Sequence, residues 1–330
     1  MRPRHTATGR RRTLLGLAAT GLSLAAIGTA RGQEAWPNKP VKIVYPYAPG
    51  GAGDPLSRAW ADRLTRAYNV PFIVENRGGA SGTIGAEAVA RAAPDGYTIL
   101  FTPNSALNVL PQLRKVGYDP RKDFLPVSRL GDLVSGFCIQ SALGVSTMAE
   151  MIVYAKTNPG KLIYGSAGLG TSSQLRIELI KLRAKVDIVH APYRGSGDAL
   201  IDLLAGHINM MNEIVTYPHV KSGKLKLLSV SHPTRHWDFP ATPTLTEAGF
   251  PNADVPIWFA VWAPAGTPPA IISTLSRKMA EIGATPEMIT KMQELGFAPM
   301  LRGPEETGAF LASDWDDNAT LIGEAKVNLG

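Results

Sequence analysis

The sequence of 330 residues has a single cysteine, Cys138, which excludes an internal disulfide. Beyond residue 32 there is no stretch of 18 consecutive apolar residues, which excludes a hydrophobic membrane-spanning segment there. The formal net charge is +7, but residues 1–32 hold six arginines and no acid. Removing these six from the 34 basic residues leaves 28, against 27 acidic residues. The rest of the chain therefore carries no basic field that would favour nucleic acid or a membrane surface as a partner.

Several motifs that carry chemistry are also missing. The sequence has no Gly-x-x-x-x-Gly-Lys-Ser/Thr phosphate loop and no Gly-x-Ser-x-Gly nucleophile turn. The run Gly168-x-Gly170-x-x-Ser173 lacks the third glycine of a dinucleotide fingerprint. His232 and His236 stand four residues apart, but Pro233 between them favours a loop over a helix. The sequence therefore predicts no cofactor and no metal site.

Residues 1–32 have the pattern of an export signal. Five arginines come first, an apolar run extends from Leu14 to Ile27, and small residues lead up to Ala30. The segment Arg11-Arg12-Thr-Leu-Leu15 fits the twin-arginine pattern, and an ordinary Sec signal is the alternative. We expect cleavage between Ala30 and Gln33.

The remaining chain alternates short apolar runs with segments of helical period, which predicts an α/β fold. One β-α-β-α-β series occupies residues 41–102 and a second occupies the middle of the chain. The Pro-rich stretch from Pro233 to Pro256 is a long connection. We expect two mainly parallel sheets flanked by helices, with crossings near Leu133 and Val255. The first lobe would hold residues 33–133 and 256–330, and the second lobe residues 134–255.

Small-residue turns follow several of these strands. They contain Gly, Ser and Thr, and they occupy residues 49–55, 78–83, 168–173 and 194–198, with a further polar strand end at 102–105. Glycine lets a backbone approach a ligand, and free N–H groups at a helix start favour an anion. Ligands of open α/β sheets lie beyond the carboxyl ends of the strands. The turns therefore predict an anion site in the cleft between the lobes, although any single turn, 78–83 above all, is equally consistent with a purely structural role.

A set of short segments then occurs in a characteristic order. The segments are Trp36–Val44, Ala48–Asp54, Val74–Gly79, Gly85–Tyr97, Tyr118–Phe124, Gly170–Ser173, Pro192–Ser196 and Ala263–Pro268. Together they closely resemble the Bug family, the extracytoplasmic solute receptors of tripartite tricarboxylate transporters. The resemblance covers nearly all of the chain after the leader.

The resemblance implies a two-lobe, type II-like periplasmic binding protein fold with a cleft between the lobes. It implies a location in the periplasm, a small organic acid or amino acid as ligand, a two-subunit membrane permease as partner, and no catalytic role. We expect a monomer. The implied ligand-binding residues are Tyr47, Pro49, Gly50, Gly51, Asp54, Thr102, Asn104, Ser105, Gly170, Thr171, Ser172, Gln174, Tyr193, Arg194, Gly195 and Glu213.

The chain departs from the family pattern at several of these positions. Gln174 stands where a histidine is usual, Tyr47 where phenylalanine is usual, and Asn212-Glu213 where the family has Asp-Asn. The stretch from Gly136 to Val145 is shorter than is typical of the family. Two other functions stay open: a ligand sensor for a signalling partner, and an enzyme acting on a carboxylic acid. The enzyme would need a general base, for which Glu213, Asp54 and His190 are the candidates.

Overall fold

The structure is a computed structural model, and it describes residues 36–326. The proposed leader, its cleavage site and the last four residues of the chain lie outside this range. The strands are β1 (Val41–Tyr45), β2 (Phe72–Asn76), β3 (Thr98–Pro103), β4 (Phe124–Leu133), β5 (Gly136–Gln140), β6 (Leu162–Ser166), β7 (Ile188–Pro192), β8 (Met210–Asn212), β9 (Leu225–Val230), β10 (Ile257–Pro264) and β11 (Phe297–Arg302).

Ten α-helices accompany these strands in the described range. They are α1 (Asp54–Tyr68), α2 (Thr83–Ala90), α3 (Leu110–Leu113), α4 (Met148–Thr157), α5 (Ser172–Ala184), α6 (Ser196–Ala205), α7 (Tyr217–Lys221), α8 (Pro269–Gly283), α9 (Pro286–Glu294) and α10 (Pro304–Ala325). No helix between residues 36 and 326 combines the length and the apolar character needed to cross a membrane.

The strands form two sheets, as predicted. The first sheet has six strands in the order β11-β4-β10-β3-β1-β2, and the second has five in the order β7-β6-β8-β5-β9. The chain crosses from the first sheet to the second between β4 and β5, and it returns between β9 and β10. We call the first sheet with its covering helices the first lobe, and the second sheet with its covering helices the second lobe.

The sequence predicts mainly parallel sheets, but both sheets contain parallel and antiparallel strand pairs. In the first sheet β1 runs parallel to β2 and β3, whereas β10 runs antiparallel to β3 and β4, and β11 runs antiparallel to β4. In the second sheet β5 is antiparallel to both β8 and β9. Parallel neighbours need a long crossover connection, usually a helix. At both crossings, β4 to β5 and β9 to β10, the new strand enters its sheet without a crossover helix, and it runs antiparallel to its neighbours.

Helix α1 shows how the sequence builds one of these units. Leu56, Trp60 and Leu64 recur at helical spacing and are fully buried. Burying a large apolar side chain stabilises the fold by about 1.5–3 kcal/mol. The helix begins at Asp54, because Pro55 and an acid suit the first turn. It ends at Tyr68, and the C-cap residue Asn69 has a left-handed φ of 53°.

Helix α10 contacts both lobes. It packs on β4 of the first lobe and on α5 of the second. Leu321 and Ala325 near its end belong to the hydrophobic core of the second lobe. Arg183 of α5 pairs with Glu324 of α10 at 2.7 Å. The C-terminal helix therefore connects the lobes on the outside, in addition to the two chain crossings.

Candidate binding site

The loop between β1 and α1 is held in place by the carboxylate of Asp54. It accepts hydrogen bonds from the Gly50 N–H at 3.2 Å, from Asn76 Nδ2 at 2.8 Å and from Arg58 Nε at 3.2 Å. Burial raises the pKa of Asp54, but the bonds from Asn76, Arg58 and Gly50 outweigh it and hold the pKa below its ordinary value. Asp54 therefore positions the loop through internal contacts.

The turn between β6 and α5 is also closed by its own side chains. Thr171 Oγ1 donates to the carbonyl oxygen of Gly168 at 2.9 Å and accepts from the Gln174 N–H at 3.4 Å, which caps α5. Gly168 and Gly170 have φ values of 132° and 72°, which favour glycine. These contacts fix the start of α5 beside the cleft.

Two sets of hydrogen bonds cross from one lobe to the other. The Ala52 N–H, just before α1, donates to Ser196 Oγ of the second lobe at 3.1 Å. The Ser172 N–H, at the start of α5, donates to Ser105 Oγ of the first lobe at 3.1 Å. Serine hydroxyls thus accept from one amide in the first turn of α5 and from one in the loop before α1, in the two turns where the sequence predicts an anion. The structure is a closed arrangement of the lobes.

A cavity lies where these turns meet. Its lining consists of Tyr45, Tyr47, Gly51, Ala52, Pro103, Ser105, Leu133, Ala167, Thr171, Ser172, Ser173, Ser196, Glu213, Ile257 and Phe259. The volume is about 40 Å³, which is room for only a few water molecules. Small-molecule sites usually enclose roughly 300–1,000 Å³. A ligand of organic-acid size therefore requires the lobes to move apart before they close around it.

Glu213 is the most unusual group in this lining. Its side chain lies in the cavity wall, and the residue is only 4% exposed. Burial raises the pKa of the Glu213 carboxyl to about 7, although Ser173 donates to it and Arg176 attracts it. Tyr45 and Tyr47, from the first lobe, line the same cavity and interact electrostatically with this carboxyl. An acid in this position titrates near neutral pH.

The cavity brings together part of the predicted ligand-binding set. Tyr47, Gly51, Ser105, Thr171, Ser172 and Glu213 line it. Gly50 and Asp54 support the first loop, and Pro49 contacts Gly197 of the opposite lobe. Thr102 is buried and donates to the carbonyl oxygen of Pro103. Asn104 accepts from Ser172 Oγ at 3.3 Å, directly behind the lining.

Other predicted residues lie further from the cavity. Tyr193 donates its hydroxyl to Asp202 at 2.6 Å on an outer groove. Arg194 is exposed and lies 3.5 Å from Asp198, so its guanidinium does not reach the cavity in this closed arrangement. Gly195 packs against Ala48 across the cleft.

Gln174 occupies a supporting position behind the turn. Its Oε1 accepts from the Gly170 N–H, and its Nε2 donates to His190 Nδ1 at 3.2 Å. His190 Nε2 then lies 2.7 Å from Ser166 Oγ, and its ring stacks on Tyr164. Burial lowers the pKa of His190 to about 4, so the imidazole is neutral. Gln174 and His190 therefore shape the turn, and neither lines the cavity.

Sequence reasoning missed several lining residues. Ser196 lies within a turn that was identified, but the prediction chose its neighbours Tyr193, Arg194 and Gly195. Leu133, Ile257 and Phe259 come from β4 and β10, where the chain crosses between lobes. No local sequence signal marks them, because their place depends on pairing between distant strands. Among residues 36–326 no cluster of potential metal ligands is present.

Two α/β lobes that close over a small cavity of hydroxyls and helix-start amides define a solute-binding protein. The chain is similar to BugT of Bordetella pertussis, with 33% identity over 95% of this chain and 98% of BugT. It is also 33% identical to a protein from the tcbD-tcbE intergenic region of Pseudomonas sp. strain P51, over 97% of this chain and 96% of that one.

Solved structures agree with this class. R. palustris Rpa4515, solved with adipate, has a TM-score of 0.86 and 31% identity, covering 89% of this chain and 99% of its own. MatC of Rhodopseudomonas palustris, solved with bound malate, has a TM-score of 0.81 and 27% identity, covering 87% of this chain and all (100%) of its own. Residues 56–327 match the model of the tripartite tricarboxylate transporter family receptors, TctC, and the chain belongs to that family. Because this is a family of solute-binding receptors, the chain is a binding protein and not an enzyme.

Proposed function

We propose that the protein is a periplasmic receptor that closes its two lobes on a small carboxylate-bearing solute and delivers it to a two-subunit permease of the tripartite tricarboxylate type. The observation that carries the proposal is the meeting of two helix starts, from opposite lobes, at one closed cavity. Amide donors at such positions bind carboxylates without a cationic side chain. The adipate and malate held by Rpa4515 and MatC support the same chemical class.

The proposal assigns the lobes as the sequence suggested, with residues 33–133 and 256–330 in one and 134–255 in the other. Ligand binding favours the closed arrangement because only closure presents both helix starts to one molecule. The proposal keeps the sequence-based expectation that the receptor is a monomer. It assigns ligand contact to the predicted residues that line the cavity, namely Tyr47, Gly51, Ser105, Thr171, Ser172 and Glu213.

A thermal-shift screen of the chain without its leader tests the ligand class. The panel is malate, adipate, benzoate and glutamate, which between them carry the groups expected of the ligand. A molecule that binds only the folded state at 100 times its Kd adds about 2.7 kcal/mol of stability. We expect a rise in Tm with at least one of the four and recovery of that acid unchanged. A Tm that no acid raises at millimolar concentration would contradict the proposed ligand class.

Thr171→Ala, with Thr147→Ala as its matched control, tests the position of the site. Both threonines cap a helix by accepting from a backbone N–H, at the start of α5 and of α4 respectively. Each substitution removes a cap worth about 1 kcal/mol. Only Thr171 lines the cavity, so only Thr171→Ala should weaken ligand affinity. Equal affinities of the two variants would place the site elsewhere.

Export is tested with a reporter fused to residues 1–34. We expect the fusion to reach the periplasm through the twin-arginine machinery and to stay inside cells that lack it. Export from such cells would assign the leader to the Sec route instead.

A further inference from the structure

The charge of the cavity does not match an anionic ligand. Of the residues that line it, within the described range 36–326, none is a lysine, arginine or histidine, and Glu213 is the one carboxylate. Hydroxyls, amides and helix starts supply the remaining polarity. A carboxylate ligand therefore enters a space whose formal charge is negative or zero, never positive.

The groups around Glu213 leave its charge only partly compensated. On the second lobe, Ser173 donates a hydrogen bond to its carboxylate and Arg176 is the nearest cation. Two nitrogens of the Arg176 guanidinium are already engaged, because Nε donates to the carbonyl oxygen of Ala253 and Nη2 to that of Val255, whereas the buried Nη1 has no hydrogen-bond partner. The guanidinium interacts electrostatically with Asp254 as well as with Glu213.

From the first lobe, Tyr45 and Tyr47 interact electrostatically with the Glu213 carboxyl, while their hydroxyls hydrogen-bond the Gly53 N–H and the Ser81 carbonyl oxygen. Burial raises the pKa of Tyr45 and Tyr47 above the ordinary value of a phenol, so both stay neutral donors. The first lobe therefore brings no cation to Glu213 when the cleft closes. Apart from the attraction of Arg176, the buried acid is stabilised by the Ser173 hydrogen bond or by a proton.

A ligand carboxylate adds a second negative charge close to Glu213. It would sit at the start of α5, where Ser173 already donates to Glu213, in the cavity whose wall buries this carboxyl. Two carboxylates that share such a site do not both ionise near neutral pH, because their repulsion raises the affinity of one of them for a proton. The pKa of Glu213 is already about 7, and repulsion from the ligand carboxylate raises it further.

We propose that the receptor captures its carboxylate ligand together with one proton, which Glu213 takes from solvent and then donates as a hydrogen bond to the ligand carboxylate. The proposal rests on the proposed function, and it adds that Glu213 acts as a neutral acid in the complex. The proton adds to one carboxylate oxygen of Glu213, and no bond in the ligand is broken. Ligands that bring their own ammonium group to Glu213 do not need this proton.

Isothermal titration calorimetry measures the proton directly. Malate, adipate, benzoate and glutamate are titrated in phosphate and in Tris, and the dependence of the heat on buffer ionisation gives the number of protons taken up. At about pH 8.5, where the ligand carboxyls are ionised, we expect about one proton per malate, adipate or benzoate bound. At about pH 5.5 we expect a value near zero, because Glu213 already holds its proton. Between these limits the Kd should rise by up to about tenfold per pH unit above pH 7.

Glu213→Gln supplies the matched variant, because the amide has the shape of the neutral acid and cannot titrate. The variant should take up no proton when it binds the ligand, and its Kd should no longer change between about pH 5.5 and about pH 8.5. Glu247→Gln, on the outer surface with Arg235 as its partner, should keep the wild-type behaviour. The wild-type titration stands by itself if Glu213→Gln does not fold.

The outcomes separate the inference from the proposed function. Binding at about pH 8.5 without proton uptake overturns the inference and leaves a carboxylate receptor. The inference is also overturned if glutamate is the one acid of the four that binds, if it binds without proton uptake, and if Glu213→Gln abolishes its binding. Glu213 would then be ionised and would pair with the ammonium group of glutamate. No binding of any of the four acids at either pH overturns the proposed ligand class itself.

Discussion

Replacing Glu213 by Gln should change how the stability of the ligand-free protein depends on pH. The carboxyl is buried in the cavity wall, and burial raises its pKa from the ordinary 4.5 to about 7. The folded state therefore binds a proton more tightly than the unfolded chain does. Below about pH 4.5 the acid is neutral in both states and adds no electrostatic cost.

The cost appears as the pH rises. Between about pH 4.5 and 7 the unfolded chain loses this proton while the folded protein keeps it, so wild-type stability falls as the pH increases. One pKa unit corresponds to about 1.36 kcal/mol, so a shift from 4.5 to about 7 amounts to about 3 kcal/mol. The Gln variant lacks this loss. Its free energy of unfolding, relative to wild type, should rise by about 3 kcal/mol between about pH 4 and 8.5.

Urea denaturation at a series of pH values provides the measurement, and only the difference between variant and wild type is interpreted. Taking this difference removes the pH-dependent contribution of the buried histidines His190 and His236, whose pKa values burial lowers to about 4. Glu247→Gln is the control of opposite sign, because Arg235 holds the pKa of Glu247 below its ordinary value. Glu247 contributes stability that is present at neutral pH and lost as the pH falls. A difference for Glu213→Gln that stays constant with pH would refute the reasoning.

Three further changes test the loop and the closure. Asp54→Ala should destabilise the fold by about 1–3 kcal/mol and weaken ligand binding, because the Gly50 N–H and its neighbours lose their acceptor; an unchanged urea midpoint would contradict this. Gly197→Val should hold the cleft open at a cost to closure of roughly 1–3 kcal/mol, since a Cβ there meets the Gly50 carbonyl oxygen at 3.1 Å. Small-angle scattering measures the opening, and Gly303→Val is the control, because a Cβ at Gly303 meets no other atom within 4 Å. Ser196→Ala removes one cross-lobe hydrogen bond and should raise the ratio of open to closed protein without ligand roughly two- to tenfold. Small-angle scattering measures this change, and an unchanged radius of gyration would show that this bond does not hold the lobes together.

Much of the fold follows from local pattern. The apolar runs that form β1 and β10, and the helical spacing of Leu56, Trp60 and Leu64, are visible without a structure because burial imposes their period. Strand β11 was not predicted. Its sequence, Phe297–Arg302, contains Pro299, and it pairs through an irregular register at the edge of the sheet, where proline is tolerated. The mixed sheets also escaped prediction, because strand direction at the two crossings depends on how distant segments pair.

The sequence predicts which turns surround the cavity, but it does not predict which side chains of those turns point into it. Gly51, Thr171 and Ser172 lie in glycine- and serine-rich turns that follow strands, so their place at the cleft was expected. The direction of a side chain was not. Asp54 turns back to its own loop, and Arg194 points to solvent, although both stand in such turns. Ile257 and Phe259 reach the cavity only because β10 pairs between β3 and β4.

The cross-lobe serines show how a ligand could control closure by small differences. In the ligand-free structure, Ser196 and Ser105 satisfy the amides of Ala52 and Ser172, each bond being worth about 0.5–1.5 kcal/mol. A ligand carboxylate at the same amides replaces neutral hydroxyl acceptors by an anion, and charge-assisted bonds are roughly twice as strong. The gain over the empty closed form is therefore a few kcal/mol, not the full strength of the new bonds. If the lobes close on a carboxylate as proposed, a buried ionised Glu213 would offset most of this gain, and a proton that accompanies the ligand would preserve it.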